Sequence, residues 1–262
     1  MNTPALLRFR SKLESGQFCI GPAITFTDPM VSLALADSAD YLWIDCEHAV
    51  MSMEAVRGHL LSAQVKGVPA LVRVPGSGMR EIKPMLDSGA DGIIVPQIYN
   101  AAEARQVASD CRYPPMGTRG FGPRVPTNFD RASMPDYLAR ANRHLFVCVQ
   151  IETAEALAEI DEIVKIDGID SVVLGPWDLS GALGVLGQPE HPKVLAAIER
   201  VVHSARAAGK FVAAGGGADA GYAQRMAKRG LHWIQWGADY GYMTKFFDSN
   251  VQQLRDTIAS DS

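Results

Sequence analysis

Eight short apolar runs, rich in valine and isoleucine, recur along the chain and constrain its fold more than any other feature. The runs begin at residues 18, 41, 68, 92, 145, 170, 210 and 233. They are continuous rather than alternating, which is typical of strands buried on both faces of a parallel sheet. Segments with helical patterning separate them, and several of these end in glycine, a frequent helix terminator. The alternation predicts an α/β fold, a (β/α)8 TIM barrel, with a doubly wound open sheet as the alternative.

The length and the two ends of the chain complete this prediction. With 262 residues, 47% of them hydrophobic, the chain can bury one large core. No linker or shift in composition divides it, so we expect a single domain over residues 1–262. An additional helix should precede the first strand, and a protruding helix over residues 243–260 should follow the last one.

Charge and cysteine content argue against several partners and locations. A net charge of −4 provides no basic surface for phosphates, which argues against nucleic acid and favours a small-molecule partner. The four cysteines lack CxxC spacing, which indicates reduced thiols and a cytoplasmic protein. Because we find neither an apolar signal core nor a run of about 18 apolar residues, we expect no membrane association.

One long interruption separates the fourth and fifth apolar runs. Residues 112–144 contain several prolines, glycines and arginines, a composition unlike that of a plain linker. Segments of this length inside a compact domain are usually functional or disordered. We therefore expect a wall or lid over the mouth of the barrel, shared with a neighbouring subunit. An exposed connection is the alternative.

Polar and charged residues gather where the predicted strands end. Active sites of β/α barrels are built at the C-terminal ends of the strands. Charged residues at the edges of apolar runs are rarely buried unless they are paired or coordinated. The residues at these ends are Asp45, Glu47, His48, Arg73, Gln97, Gln150, Glu152 and Asp178. Their convergence predicts a polar centre at one end of the barrel.

Glu152 and Asp178 follow adjacent strands and should face each other. Two carboxylates this close resist joint ionisation unless a cation neutralises them. Oxygen ligands without histidine or cysteine favour hard divalent ions, so the pair predicts a site for Mg²⁺ or Mn²⁺ with positions left open for a 2-oxo acid. The alternative is helix capping, by Asp178 itself and by Thr153 next to Glu152.

His48 and Arg73 are further candidates for chemistry. Asp45 stands three residues before His48, and a carboxylate contact would orient the imidazole and raise its basicity. An arginine at the end of an apolar strand is costly unless it meets an anion or a developing oxyanion, which makes Arg73 a candidate for substrate binding. The other histidines lie in helices or loops without such a setting, and we assign them no role.

Six motifs, in order along the chain, carry a resemblance to a known family. They are DCEHA, LVRVPGSG, LDSGADGIIVPQI, RYPPMGTRGFG, VQIET and GPWDLSGALG. From about residue 18 to residue 240 the chain resembles the HpcH/HpaI family of class II pyruvate aldolases, relatives of 4-hydroxy-2-oxoheptanedioate aldolase. The resemblance implies a (β/α)8 barrel, a hexamer built from dimers that exchange C-terminal helices, and a divalent metal cation, Mg²⁺ or Mn²⁺ with Co²⁺ also possible.

The resemblance also implies which residues bind the metal and move the proton. It makes Glu152 and Asp178 the metal ligands and His48 the base that acts on the pyruvate methyl group, directly or through water. The carboxylate that raises the basicity of the histidine in relatives matches Asp87. Asp45 is then left with a structural or supporting role.

The remaining implied roles concern substrate binding. Arg73 matches the arginine that binds the substrate and steadies the enolate and aldehyde oxygens. The residues that match the pyruvate-binding surface are Gln150, Gly175, Pro176, Trp177 and Asp178. Trp177 is a departure, because relatives with diacid substrates commonly carry a small residue there. We therefore expect a preference among aldehydes unlike theirs.

Together these observations predict a metal-dependent class II aldolase. It would reversibly cleave a 4-hydroxy-2-oxo acid into an aldehyde and pyruvate, or a close 2-oxo acid. A Schiff-base mechanism is disfavoured because the lysines considered, Lys83, Lys165, Lys210 and Lys228, fall away from the predicted mouth. The alternatives are a metal-dependent decarboxylase or other carbon–carbon lyase at the same site, and a noncatalytic protein that binds 2-oxo acids.

Overall fold

The computed structural model of the protein describes residues 3–260, in which eight parallel strands close into a barrel in chain order. The strands are β1 (Cys19–Ile24), β2 (Leu42–Asp45), β3 (Ala70–Arg73), β4 (Gly92–Val95), β5 (Phe146–Ile151), β6 (Ser171–Leu174), β7 (Phe211–Gly216) and β8 (Trp233–Ala238). β8 pairs with β1 and closes the barrel. All eight predicted strands are present. The predicted (β/α)8 barrel is confirmed, and the open-sheet alternative is wrong.

Helices connect the strands and flank both ends of the described chain. They are α1 (Thr3–Glu14), α2 (Met30–Ala36), α3 (Met53–Lys66), α4 (Met79–Asp87), α5 (Ala101–Asp110), α6 (Met134–His144), α7 (Ala154–Ala158), α8 (Ile160–Ile163), α9 (Pro176–Ala182), α10 (Pro192–Ala207), α11 (Ala220–Lys228) and α12 (Asp239–Ser260). The expected helix ahead of the first strand is α1.

Side-chain caps start several of these helices close to the ends of the strands. The Asn100 side chain accepts a hydrogen bond from the Glu103 backbone N–H at 2.9 Å and begins α5. The Thr153 hydroxyl accepts one from the Ala156 backbone N–H at 3.1 Å and begins α7. Each cap satisfies a backbone donor that has no partner inside its helix. The capping role considered for Thr153 is therefore confirmed.

An aromatic cluster fills the N-terminal end of the barrel. Phe9 of α1 packs against Tyr41, Phe146 and Trp233, and its ring centroid lies 5.3 Å from that of Tyr41. The Tyr41 hydroxyl donates a hydrogen bond to the Ile234 carbonyl at 2.7 Å. Tyr41 and Trp233 meet edge to face at 5.1 Å, an arrangement that aromatic rings favour. α1 thus covers this end of the barrel.

The segment at residues 112–144 is partly helical. Its last third forms α6, in which Tyr137 and Ala141 are buried together with Tyr113. Sequence reasoning treated the whole segment as a loop and missed this helix. The amphipathic spacing of two buried positions four residues apart, after the proline that begins the helix, was the available signal.

The final helix, α12, leaves the barrel, as the sequence predicts. Among its described residues only Asp239 is buried, whereas apolar side chains further along the helix are exposed. The large ones are Met243, Phe246, Phe247, Leu254 and Ile258. Within residues 3–260, no helix is both long enough and apolar enough to cross a membrane.

Candidate active site

A cavity of about 860 Å³ opens at the C-terminal ends of the strands. It is lined by eight of the residues singled out from the sequence, namely Asp45, His48, Arg73, Gln150, Gly175, Pro176, Trp177 and Asp178. No described residue between 112 and 144 lines it. Within one chain this segment therefore does not wall the cavity, and its role as a lid shared with a neighbouring subunit stays a prediction.

Glu152 lies directly after β5 and is buried beside this cavity. One carboxylate oxygen accepts a hydrogen bond from the Gln150 side chain at 2.7 Å. The other accepts one from the Gln97 backbone N–H at 2.7 Å, and Gln97 adopts a left-handed φ of 53°. Burial raises the pKa of Glu152, the neighbouring Glu47 and Asp178 raise it further, and the two hydrogen bonds oppose the rise.

Asp178 lies in the first turn of α9, at the end of β6. The carboxylate is exposed, and it forms no hydrogen bond or ion pair with another residue of the described chain. α9 has no side-chain cap at Gly175, so the capping role considered for Asp178 is not formed. Its carboxylate is thus available to a ligand in the cavity.

Arg73, at the end of β3, holds two carboxylates at once. Its Nε and one Nη donate to the two oxygens of Asp45 at 3.0 and 2.7 Å, which is a bidentate pair. Its other Nη lies 2.8 Å from an oxygen of Glu47. The guanidinium also sits over the Trp43 ring, 5.4 Å from the centroid. The anions expected around Arg73 are therefore supplied by the protein itself.

Asp45 fixes the chain that carries His48 and does not touch the imidazole. One oxygen of Asp45 accepts hydrogen bonds from the backbone N–H groups of Glu47 and His48 at 3.0 and 3.2 Å. The contact between Asp45 and the ring that we considered from the sequence is thus replaced by a contact with the backbone. The imidazole is largely exposed, and its Nε2 lies 3.8 Å from an oxygen of Glu47.

Glu47 is the site residue that sequence reasoning noted at a strand end without assigning a role. Its carboxylate lies next to Arg73 and His48, and the Gln97 side chain is 3.5 Å from one oxygen. Burial raises the pKa of Glu47, as do the neighbouring carboxylates of Asp45 and Asp178, whereas Arg73 and His48 lower it. The available signal was its place between two other candidates, Asp45 and His48.

The donor set at this end of the barrel fits a hard divalent cation. Asp178 raises the pKa of both Glu47 and Glu152, and Glu47 also raises that of Glu152, so a positive charge would relieve this repulsion. The buried Gln150 Oε1 has no hydrogen-bond partner, which leaves a further oxygen for a ligand. Within residues 3–260, no group of three or more histidine, cysteine or acidic residues is arranged to hold a metal ion. The predicted metal site of Glu152 and Asp178 would therefore leave most of the coordination shell to water or substrate.

Asp87 lies apart from the other predicted residues. It ends α4 on the outside of the barrel, where its two oxygens accept hydrogen bonds from Lys83 and Arg119 at 2.7 and 2.8 Å. It is not among the residues that line the cavity. The pairing with His48 that the resemblance implies is therefore not formed within the described chain.

A lysine that was not among the candidates from the sequence lies at the cavity. Lys245, on α12, lines it together with Tyr240, whereas the four lysines considered from the sequence do not. Its side chain is exposed, unlike the desolvated lysines that form Schiff bases. No pattern pointed to it, because the approach of α12 to the barrel mouth depends on the turn after β8.

The protein is a TIM barrel with a polar site at the C-terminal ends of its strands. Enzymes of this fold carry out their chemistry at that end of the barrel. The family model described as HpcH/HpaI aldolase/citrate lyase matches residues 25–245. The protein belongs to this family. Its resemblance to the family, drawn from six motifs, is therefore confirmed.

Individual relatives agree with this assignment. The chain is 37% identical to a hydroxypyruvate/pyruvate aldolase of Pseudomonas aeruginosa over 235 residues, which cover 88% of this chain and 87% of that protein. It is 38% identical to a 4-hydroxy-2-oxo-heptane-1,7-dioate aldolase of Salmonella paratyphi B over 203 residues, 77% of each chain. Both relatives are named aldolases, which are carbon–carbon lyases, and this protein is an enzyme of that kind.

A solved structure shows the same architecture. The HpcH/HpaI aldolase from Desulfitobacterium hafniense superposes with a TM-score of 0.88 at 30% sequence identity, covering 94% of this chain and 96% of that one. The barrel and its long connections are thus shared with a member of the family over almost the whole length.

Proposed function

We propose that the protein is a metal-dependent class II aldolase that reversibly cleaves a 4-hydroxy-2-oxo acid into an aldehyde and pyruvate or a close 2-oxo acid. The observation that carries this proposal is the pair Glu152 and Asp178, on adjacent strand ends, beside a cavity that also holds Arg73 and His48. The names of the Pseudomonas and Salmonella relatives support the reaction type.

Glu152 and Asp178 would hold the cation, Mg²⁺ or Mn²⁺ with Co²⁺ also possible. A bound divalent cation supplies Lewis-acid polarisation of a 2-oxo group and stabilises the negative charge of an enolate. The backbone at Gly175 and in the first turn of α9 offers N–H groups without intrahelical partners to the carboxylate of the 2-oxo acid. The Gln150 amide lines the same wall.

His48 would move the proton, and Arg73 would steady negative charge. The imidazole is exposed to the cavity, so it can take a proton from the carbon next to the keto group, directly or through one water. Asp45 accepts hydrogen bonds from the His48 backbone N–H and from the Arg73 guanidinium. Asp45 would therefore have a supporting role, holding both residues in place. Arg73 is thereby fixed in position at the cavity wall.

We also propose that the active form is a homo-oligomer in which α12 packs on a second copy. An apolar groove of about 620 Å³ lies between α2 and α11, at the place on the outer layer that α12 leaves uncovered. Its apolar lining includes Ile20, Leu35, Ala223 and Trp236. The exposed apolar side chains of α12 would fill such a groove, in agreement with the exchange of C-terminal helices that the resemblance implies.

The place of Asp87 supports the same conclusion. If the resemblance is right that Asp87 raises the basicity of His48, the two residues must come from different copies, because Asp87 lies outside the barrel in its own chain. The neighbouring copy then completes each site, and the segment at residues 112–144, which carries Arg119, lies at that contact.

The experiment that tests the reaction class has two arms. Pyruvate in D₂O with metal should exchange its methyl protons, and pyruvate with a panel of aldehydes should give carbon–carbon bond formation. Release of carbon dioxide from oxaloacetate without any dependence on aldehyde would favour a decarboxylase instead. His48→Ala should abolish exchange, whereas a binding protein would show no exchange to lose.

A further inference from the structure

Lys245 places a positive charge at the rim of the cavity, outside the ring of strand ends. It lies on α12, two turns after the end of β8, and lines the cavity together with Tyr240. Asp45 and Arg73 also line the cavity, but they form an ion pair with each other, with 2.7 Å between a guanidinium nitrogen and a carboxylate oxygen. Lys245, by contrast, forms no ion pair with any residue between 3 and 260. Its charge is therefore free to meet a ligand.

Three aromatic side chains share this rim with Lys245. Phe26, Trp177 and Tyr240 line the cavity and are 39%, 57% and 55% exposed. Exposed aromatic faces at a binding cavity favour contact with flat apolar groups, and ring pairs gain energy beyond the area they bury. The cavity also holds far more than pyruvate, since about 860 Å³ is in the range of sites for much larger molecules.

Building on the proposed aldolase function, we propose that Lys245 is a specificity-determining residue that binds the terminal carboxylate of the aldehyde substrate. The body between carbonyl and carboxylate would be aromatic, or similarly flat and apolar, and would lie against Trp177 and Tyr240. A single lysine suits a carboxylate better than a phosphate, because phosphate sites usually combine several donors. The aldehyde carbon would then point towards His48 and the carboxylates of the strand ends.

Three aldehydes distinguish the contribution of the carboxylate from that of the aromatic ring. 4-Carboxybenzaldehyde carries both features, its methyl ester keeps the ring without the charge, and succinic semialdehyde keeps the charge without the ring. At saturating pyruvate, the wild-type protein should show the highest kcat/KM with 4-carboxybenzaldehyde. Lys245→Ala should lower that value by about 5-fold, mainly through KM, and leave the ester unchanged, since an exposed charge pair contributes up to about 1 kcal/mol.

Matched variants exclude a general effect of charge or folding. Lys228→Ala removes the same charge from α11, at a position that does not line the cavity, and should change nothing. Lys245→Arg should keep the preference, whereas Lys245→Glu should reverse it. Trp177→Ala should cost more with the aromatic aldehyde than with succinic semialdehyde. Equal losses for acid and ester in Lys245→Ala, or a wild-type protein indifferent to the charge, would overturn the assignment.

Exchange of the pyruvate methyl protons distinguishes this assignment from the proposed function itself. It involves no aldehyde, so Lys245→Ala should exchange at the wild-type rate. A wild-type protein that neither exchanges nor condenses would refute the aldolase proposal and the assignment with it. A protein that exchanges normally but shows no charge preference would refute only the role of Lys245.

Discussion

The carboxylate of Glu152 occupies the space that a side chain on residue 175 would need. A Cβ built on Gly175 would lie 2.5 Å from Glu152 Oε2 and 3.1 Å from the Glu152 Cβ. The ends of β5 and β6 can therefore approach this closely only because residue 175 is glycine. This contact sets the position of one proposed metal ligand directly below the turn that carries the other, Asp178.

Gly175→Ala should weaken metal binding by displacing Glu152. The added methyl group must push the carboxylate away, and we expect the affinity for Mn²⁺ to fall at least tenfold, with a loss of about 1 to 3 kcal/mol in the free energy of unfolding. Isothermal titration measures the first and urea unfolding the second. Gly217→Ala is the matched control, since a Cβ there meets nothing within 4 Å. Equal affinities in both variants would contradict the tight contact.

Glu152→Gln should stabilise the metal-free protein and remove its response to metal. Because folding raises the pKa of Glu152, protonation favours the folded state, and that stabilisation is lost as the pH rises through the folded pKa. A neutral amide avoids this cost at neutral pH. The Gln150 amide can flip to accept from the new NH₂ group with its unpartnered Oε1.

The measurement for this variant is thermal unfolding with and without Mn²⁺. We expect a gain of about 1 kcal/mol for the metal-free variant. Adding Mn²⁺ should give no further gain, because a ligand stabilises the folded state only when it binds to that state. A variant that is less stable without metal, or still stabilised by Mn²⁺, would count against Glu152 as a ligand.

If each active site contains residues from two copies of the chain, a mixture of two inactive variants should regain activity. His48→Ala and Asp87→Asn are each expected to lose most activity. Mixed after partial unfolding and refolding, they should form hybrid oligomers in which some sites contain both His48 and Asp87, with up to about a quarter of wild-type activity on statistical grounds. Mixing His48→Ala with Glu152→Gln controls for this, since both residues belong to one chain's site. If the first mixture recovers no activity, His48 and Asp87 do not act together across two copies.

Acid destabilisation should depend in part on His59, which is buried in α3. Its ring contacts the Ser32 hydroxyl at 2.8 Å and the Phe26 carbonyl at 3.0 Å. Burial lowers the pKa of His59 below its usual value of 6.5. The unfolded chain therefore takes up the proton first, and stability that is present above pH 6.5 is lost as the pH falls from there through the lower folded pKa.

Urea unfolding at a series of pH values checks this prediction with His59→Gln. The variant is expected to be about 1 kcal/mol less stable at pH 7.5, because its hydrogen bonds are poorer. It should lose less stability than the wild type between pH 7 and pH 5. His144 and His232, whose pKa values are also lowered, contribute equally to both proteins. Parallel curves would show that His59 does not titrate in this range.

The sequence predicted the barrel and most of the cavity for a single physical reason. Continuous apolar runs identify buried parallel strands, and the C-terminal ends of such strands meet, so residues as distant as Asp45 and Asp178 could be placed together from their positions at strand ends.

What it could not supply depends on local backbone geometry and on packing between distant segments. The hydrogen bond from the Gln97 backbone N–H to Glu152 depends on a left-handed backbone, and because the residue is not glycine, no sequence pattern indicates that conformation. The ion pair of Glu47 with Arg73 follows from the path of the chain after β2. Lys245 reaches the cavity only through the direction in which α12 leaves β8.

Removal and return of the metal tests whether the reaction depends on a divalent cation. Protein dialysed against chelator should cleave a 4-hydroxy-2-oxo acid at least about 100-fold more slowly, as followed by the release of pyruvate, because the enolate charge then has no cation to stabilise it. Adding Mn²⁺ or Mg²⁺ should restore the rate in the wild-type protein but not in Glu152→Gln. Full activity in rigorously metal-free protein would show that the enzyme is not a metal-dependent aldolase.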